Sequence, residues 1–236
     1  FSALRQLKVT VAGDIGCYTM GALPPYEAEH TTFCMGASIG TAFGLQQAGH
    51  KRVVAIIGDS TFIHSGIPPL IDAVANGGKL TLIILDNSTT GMTGAQPYVG
   101  SGQTIGGQAA PKLNIAEMVK AIGVEKVDVV DTWDRKAVPR AIRAALAHDA
   151  PAVVVAQGPC VMLPEIKGRD APPYYVDESL CTQCDACFKV WCPAITRTDE
   201  NFPLINSTEC TSCTVCAQVC APDAIYPWPQ EEVLAV

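Results

Sequence analysis

Two cysteine runs near the C-terminal end limit what this chain can fold into more than any other feature. The first places Cys181, Cys184, Cys187 and Cys192 ahead of Pro193; the second places Cys210, Cys213, Cys216 and Cys220 ahead of Pro222. Eight of the chain's 11 cysteines fall within these runs. Disulfides would need an oxidising compartment, and no secretory segment is read ahead of the runs. Structural zinc sites favour two cysteine pairs over triplets followed by a Cys-Pro. The spacing C-x2-C-x2-C-x3-C instead suits [4Fe–4S] cubanes, and its doubling implies two of them.

The doubled pattern is the signature of bacterial-type ferredoxins. There the fourth cysteine of each run ligates the cluster held by the other. Cys181, Cys184 and Cys187 are therefore expected to share a cluster with Cys220, and Cys210, Cys213 and Cys216 to share one with Cys192. The first run departs from the pattern. Four residues, Phe188 to Trp191, precede Cys192 where three are usual. This reads as a one-residue bulge and makes Cys192 the weakest of the eight assignments.

The remaining length, in a chain of 236 residues, suffices for one sizeable domain. Aromatic residues are only 6% of the chain against 48% apolar, so an aliphatic core is expected. A formal charge of −7 argues against nucleic acid or an anionic membrane as partner. No apolar run approaches the roughly 18 residues of a membrane span. Thiols without a secretory segment imply a reducing, cytoplasmic setting, and oxygen-labile clusters suggest an anaerobe. The start at Phe1 reads as a fragment or one piece of a larger polypeptide.

Short apolar runs at 7–12, 53–57, 80–85, 127–130 and 152–156 read as strands. Helices are expected at 37–48, 66–75, 114–122 and 134–148, with Pro139 breaking or kinking the first turns of the last. Strands alternating with helices imply an α/β domain with a parallel sheet covered on both faces. The stretch 95–111 is rich in Gly, Gln and Ser and reads as a long loop, which in compact domains is commonly functional or disordered. The resulting division is an α/β domain over 1–163, a polar, Pro-rich linker over 164–174 and a small α+β domain with two [4Fe–4S] clusters over 175–236.

In open parallel sheets, ligands bind beyond the carboxyl ends of the strands. Three polar, glycine-containing loops converge there, at 13–21, 58–65 and 86–94. Gly58, Asp59 and Ser60, with Asn87 lying 28 positions after Asp59, resemble the thiamine diphosphate motif. A diphosphate held through Mg²⁺ needs hard oxygen ligands in an octahedron. Asp59 offers a carboxylate, Asn87 an amide oxygen and Thr89 a backbone carbonyl. Gly58 allows close backbone approach, and amides from Ser60 onward would donate to phosphate. Alone, Gly-Asp-Ser ends many α/β strands as a turn and helix cap. With Asn87 and the clusters it gains weight, because thiamine diphosphate turns a 2-oxoacid into a carbanion whose electrons cubanes accept singly.

Together, segments 13–18, 58–66 and 85–96 and the doubled cysteine run resemble the large (alpha) subunit of indolepyruvate ferredoxin oxidoreductases, over nearly the whole chain. A four-residue gap before the last cysteine of the first run also appears in that family. The resemblance implies oxidative decarboxylation of an aryl pyruvate, or of another 2-oxoacid, with coenzyme A. The products are an acyl-CoA, CO2 and a reduced external ferredoxin. It also implies a pyrimidine-binding domain or chain, a small partner subunit and a hetero-oligomer, without which this chain cannot turn over. It places Cys17 beside the cofactor's thiazolium ring, a candidate for catalysis. His64, just after the phosphate loop, is a second candidate, to move a proton or orient the diphosphate. The residues expected to hold the cofactor are Gly16, Cys17, Gly36, Gly58, Asp59, Ser60, Thr61, Asn87, Thr89, Thr90, Gly91, Met92 and Thr93. The competing reading is an electron-transfer module whose α/β domain is a docking scaffold.

Other residues divide between function and packing. His30 and Thr31 are candidates to face the cofactor, and Met92 to prop its ring. Cys34 and Cys160 read as plain core residues. Phe188 and Trp191 are expected to shield a cluster.

Overall fold

The computed structural model describes residues 1–167 and 171–229. Residues 168–170 of the expected linker and 230–236 of the expected second domain lie outside the described residues. The chain divides into two compact units, Phe1–Leu163 and a second beginning at Pro164.

The first unit is built on five parallel strands: β1 (Thr10–Ala12), β2 (Val53–Gly58), β3 (Thr81–Asp86), β4 (Lys126–Asp131) and β5 (Ala152–Gln157). Their order is β1-β2-β3-β5-β4. Strand β2 shows why the sheet needs a cover on both sides. Val53, Ala55 and Ile57 point into one apolar cluster with Ile39, Phe62, Leu70 and Val119. Val54 and Ile56 point into another with Leu4, Ala141 and Ile142. The first cluster draws on α2 (Ala37–Gln47), α4 (Ile67–Ala75) and α5 (Ile115–Ala121). The second draws on α1 (Ser2–Leu7) and α6 (Ala137–Leu146). Helix α6 follows the one connection that runs back along the sheet, from edge strand β4 to β5, and so takes the opposite face from α2, α4 and α5.

Three expectations need correction. The first strand begins at Thr10, not Leu7. Residues Ser2–Leu7 are helical, and Lys8, at φ 51°, ends that helix in the left-handed region. The helix expected from Gly66 starts much earlier. It runs from α3 (Asp59–Thr61) through a π turn at Phe62–Gly66 into α4. Pro68 and Pro69 supply no backbone donors, and the ladder widens just before them. Pro139 neither breaks nor kinks α6, because it lies in the first turn, where a backbone N–H has no intrahelical partner. The cap at α5 follows the expectation: the Asn114 side chain accepts the Glu117 N–H.

The second unit opens with the short helix α7 (Pro164–Lys167), inside the expected linker. It then forms two two-stranded antiparallel sheets. Strand β6 (Tyr174–Val176) pairs with β9 (Ile225–Pro227), and β7 (Ile195–Arg197) pairs with β8 (Pro203–Ile205). Between these strands the backbone repeats itself. Gln183 and Asp185 in the first cysteine run, and Ser212 and Thr214 at the same places in the second, all have positive φ. Each run then enters a single 3-10 turn, Phe188–Val190 or Ala217–Val219.

Candidate functional sites

A cavity of about 300 Å³ opens at the carboxyl edge of the five-stranded sheet. Every strand contributes to its wall. Ile15–Tyr18 follow β1, Gly58–Thr61 lie at the end of β2, Leu85 to Thr93 at the end of β3, Thr132 after β4, and Ala156 and Gly158 at the end of β5. Among the described residues the lining contains two carboxylates, Asp59 and Asp86, and no Lys, Arg or His.

Asp59 is the centre of this wall. It is only 2% exposed. Its Oδ1 accepts the Ser60 N–H at 2.7 Å, and its Oδ2 accepts the Ser88 N–H at 2.9 Å and the Tyr98 O–H at 2.8 Å. Burial, with a smaller contribution from the neighbouring Asp86, pushes its carboxyl up to about 7 against the pull of the Tyr98 and Ser60 bonds. The loops around it are tied together. Asn87 Oδ1 accepts the Thr89 N–H at 3.1 Å, and the Thr90 hydroxyl donates to the Ser60 hydroxyl at 3.2 Å. From the β1 loop, the Tyr18 hydroxyl accepts the Gly58 N–H at 3.0 Å and donates to the Ile15 carbonyl at 3.2 Å. A Cβ on Gly58 would lie 3.2 Å from the Tyr18 ring, so glycine lets that ring close over the end of β2.

Of the residues expected to hold a cofactor here, Gly16, Cys17, Gly58, Asp59, Ser60, Thr61, Asn87, Thr89, Thr90, Gly91, Met92 and Thr93 all line the cavity. Gly36 does not. Its N–H is taken by the Asp14 carboxylate, at 2.8 Å to Oδ1, and Asp14 also accepts the Ser38 N–H at 3.1 Å. A buried acid of the chain thus occupies the start of α2, and the Gly36 amide, expected to face the cofactor, is taken by it. His64 lies exposed on the π turn, outside the lining. His30 and Thr31 are spent on the fold. His30 Nδ1 accepts the Val11 N–H at 3.1 Å, and the Thr31 carbonyl accepts the Gly13 N–H. Cys34 is exposed and not in the core, and Cys160 is only half-buried. Sequence reading gave no role to Asp14, Tyr18 or Tyr98. An acid directly after a strand, and the one aromatic residue in a long glycine-rich loop, were the available signals.

In the second unit, two small cavities are ringed by thiols. Cys181, Cys184, Cys187 and Cys220 line the first; Cys192, Cys210, Cys213 and Cys216 line the second. Each combines three thiols of one run with the fourth of the other. Among the described residues no three such ligands close on a single metal ion. The thiols enclose a volume instead, which suits a multi-atom cluster. Backbone N–H groups already point at sulfur: Gln183 at Cys181, Tyr174 at Cys210 and Ala224 at Cys220, at 3.5, 3.4 and 3.2 Å. Burial pushes the Cys216 thiol up to about 12, and Cys213 adds to the rise. Cationic iron would reverse that preference, because only the thiolate ligates. The extra residue of the first run is Trp191, in the left-handed region at φ 59° and 53% exposed. It points away from the cavities, while Phe188 lines the first, beneath the Arg197 guanidinium at 4.0 Å.

Comparison with known proteins agrees with both sites. The profile of the thiamine pyrophosphate enzyme C-terminal TPP-binding domain matches residues 14–156. That of a 4Fe-4S dicluster domain matches residues 173–221. The indolepyruvate oxidoreductase subunit IorA of Methanothermobacter marburgensis is 45% identical over 91% of this chain and 34% of its own length. IorA of Archaeoglobus fulgidus is 44% identical over 96% of this chain and 38% of its own. The chain thus spans little more than a third of these relatives. Among solved structures, the 2-oxoglutarate:ferredoxin oxidoreductase of Magnetococcus marinus superposes with a TM-score of 0.59 at 19% identity, over 72% of this chain and 62% of that one. That likeness concerns the fold.

Proposed function

The chain belongs to the thiamine pyrophosphate enzymes, carrying their C-terminal TPP-binding domain joined to a 4Fe-4S dicluster domain, and from that premise we propose that it is part of a 2-oxoacid:ferredoxin oxidoreductase of the indolepyruvate type. Its relatives' name supports an aryl pyruvate as substrate. Coenzyme A would be the acyl acceptor and an external ferredoxin the electron acceptor.

One observation carries the reading at the sheet edge. A wall that, among the described residues, holds two carboxylates and no cationic side chain repels a diphosphate unless a divalent cation stands between them. The donor set fits such an ion: the Asp59 carboxylate, the Asn87 amide oxygen and the Thr89 carbonyl are hard oxygens. Asp59 and Asn87 would hold Mg²⁺, and Ser60, Thr61, Thr90 and Thr93 would surround the phosphates with hydroxyls and amides. Cys17, Gly91 and Met92 would flank the rings. When bound, thiamine diphosphate supplies the electron sink for decarboxylation. The chain's own residues hold it, keep Asp59 turned toward the cation and close the floor with Tyr18. Cys17 is retained as the candidate beside the reacting centre; no step runs through His64.

In the second unit the two sets of four thiols would each hold a [4Fe–4S] cluster, giving electrons a path of single-electron acceptors. Met35 and Met92 stand 47% and 54% exposed at the cavity. Apolar surface at a cofactor site suits cover by a second domain or chain, the place proposed for the pyrimidine-binding half. A small partner subunit and a cytoplasmic hetero-oligomer complete the reading. Among the described residues no helix is long and apolar enough to cross a membrane.

The test is turnover by the assembled complex, under anaerobic conditions, of a panel of 2-oxoacids with coenzyme A and a viologen. Indolepyruvate and related aryl pyruvates are expected to lead. Preference for pyruvate or 2-oxoglutarate would move the substrate; no turnover of any 2-oxoacid would sink the reading.

A further inference from the structure

Tyr98 enters the sheet-edge site from the long loop after β3, and no cofactor motif includes it. We propose that Tyr98 is a positioning residue for the metal, one that turns the Asp59 carboxylate so that Oδ1 faces the cation. The inference rests on the magnesium reading given above and adds to it a residue that does not touch the ion.

The two oxygens of Asp59 are held differently. Oδ2 is saturated by two donors, the Ser88 N–H at 2.9 Å and the Tyr98 O–H at 2.8 Å. Oδ1 accepts one N–H among the described backbone donors, that of the adjacent Ser60 at 2.7 Å, and so keeps a lone pair for a cation. Without Tyr98, the Ser88 amide would hold Oδ2 alone, and that amide is shared. It also reaches Asp86 Oδ1 at 3.2 Å. The buried carboxylate would then be freer to rotate.

The loop is built to hold this tyrosine. The Tyr98 carbonyl accepts both the Ser101 N–H at 2.9 Å and the Ser101 hydroxyl at 2.7 Å, closing a tight turn. The phenol ring lies over Gly100, where a Cβ would come within 2.5 Å of it. Glycine at 100 is therefore needed for space; its backbone is not in the left-handed region. At the loop's base, Thr90 and Gln96 pair as an antiparallel bridge. An otherwise irregular segment thus delivers one hydroxyl to one carboxylate oxygen. Groups that orient a metal ligand in this way typically change metal affinity by about 10- to 100-fold when removed.

The experiment uses the complete complex, stripped of thiamine diphosphate and divalent metal with its clusters oxidised. Mn²⁺ is titrated in the presence of saturating thiamine diphosphate, and free Mn²⁺ is read by electron paramagnetic resonance. Wild type is expected to bind one Mn²⁺ per chain at this site, and Asp59→Ala to lose it. Tyr98→Phe is expected to weaken binding by about 10- to 100-fold with circular dichroism and iron content unchanged. Gly100→Ala, which displaces the ring while keeping every donor, is expected to weaken binding in the same direction. Its use keeps the test decisive if Tyr98→Phe folds poorly. Tyr98→Phe and Gly100→Ala both within twofold of wild type, with Asp59→Ala inactive in binding, would overturn the role of Tyr98 and leave the magnesium site standing. Absence of thiamine-dependent Mn²⁺ binding in wild type would remove the site itself, and the role of Tyr98 with it.

Discussion

The two units are stabilised in opposite ways. In the first, Val53 to Ile57, Leu82, Ile84 and Val153 to Val155 form a dry aliphatic interior with helices on both sides. The cofactor site is an edge feature of a fold that stands without it. In the second, the described residues give one apolar cluster with Cys187, Ala194, Ile205 and Ile225 as its buried members, and Cys192, Cys210, Cys216 and Cys220 pack against them. There the thiols proposed as cluster ligands are themselves part of the core. Domains of this size cannot bury enough apolar surface alone and usually depend on a metal or other staple. One chain therefore combines a site added to a fold with a fold that depends on its site.

The sharpest way to break that contrast is to remove the clusters. Cluster extraction, or Cys216→Ser, is expected to abolish amide-exchange protection across β6–β9 while protection in β2, β3 and β5 persists. Equal loss in both units would contradict the contrast. Next in size is the core of the first unit. Phe62 is fully buried between α4 and the sheet, and Phe62→Ala should cost roughly 3–5 kcal/mol by denaturant unfolding of that unit, with iron content unchanged. Asp59→Ala should do the reverse of a core change. Metal-dependent thiamine diphosphate binding falls by about 100-fold or more, measured by calorimetry, while the first unit keeps its fold; unchanged activity would instead favour the docking-scaffold reading. The smallest effect is at Tyr18. Tyr18→Phe leaves the Gly58 N–H without its 3.0 Å partner and should lower stability by about 1 kcal/mol, read as a small fall in melting temperature.

The same contrast explains what was legible in the sequence. Buried parallel strands are continuous apolar runs, so β2, β3 and β5 stand out from composition alone. The thiol sets are legible because ligand spacing is local and strict. The loops were harder. Gly36 has the look of a phosphate-binding glycine, but whether its amide is free depends on Asp14, 22 positions away. The helix at Asp59 was hidden because Pro68 and Pro69 resemble a helix start, while the true start coincides with the last residues of β2. Tyr98 lies in a segment without periodicity, and its partner Asp59 is 39 positions back. Long-range side-chain pairing of this kind leaves no pattern in a single sequence.

The central claim is that one polypeptide carries both a metal-anchored thiamine diphosphate site and two iron–sulfur clusters. Its most direct test is cofactor analysis of the complex purified without oxygen, with thiamine diphosphate, magnesium, iron and acid-labile sulfide counted per copy of this chain. The account predicts one thiamine diphosphate with its magnesium, lost on Asp59→Ala, and iron and sulfide for two four-iron clusters, lost on serine substitution of the cysteine runs. Thiol sites filled with zinc, or a complex without thiamine diphosphate, would contradict it.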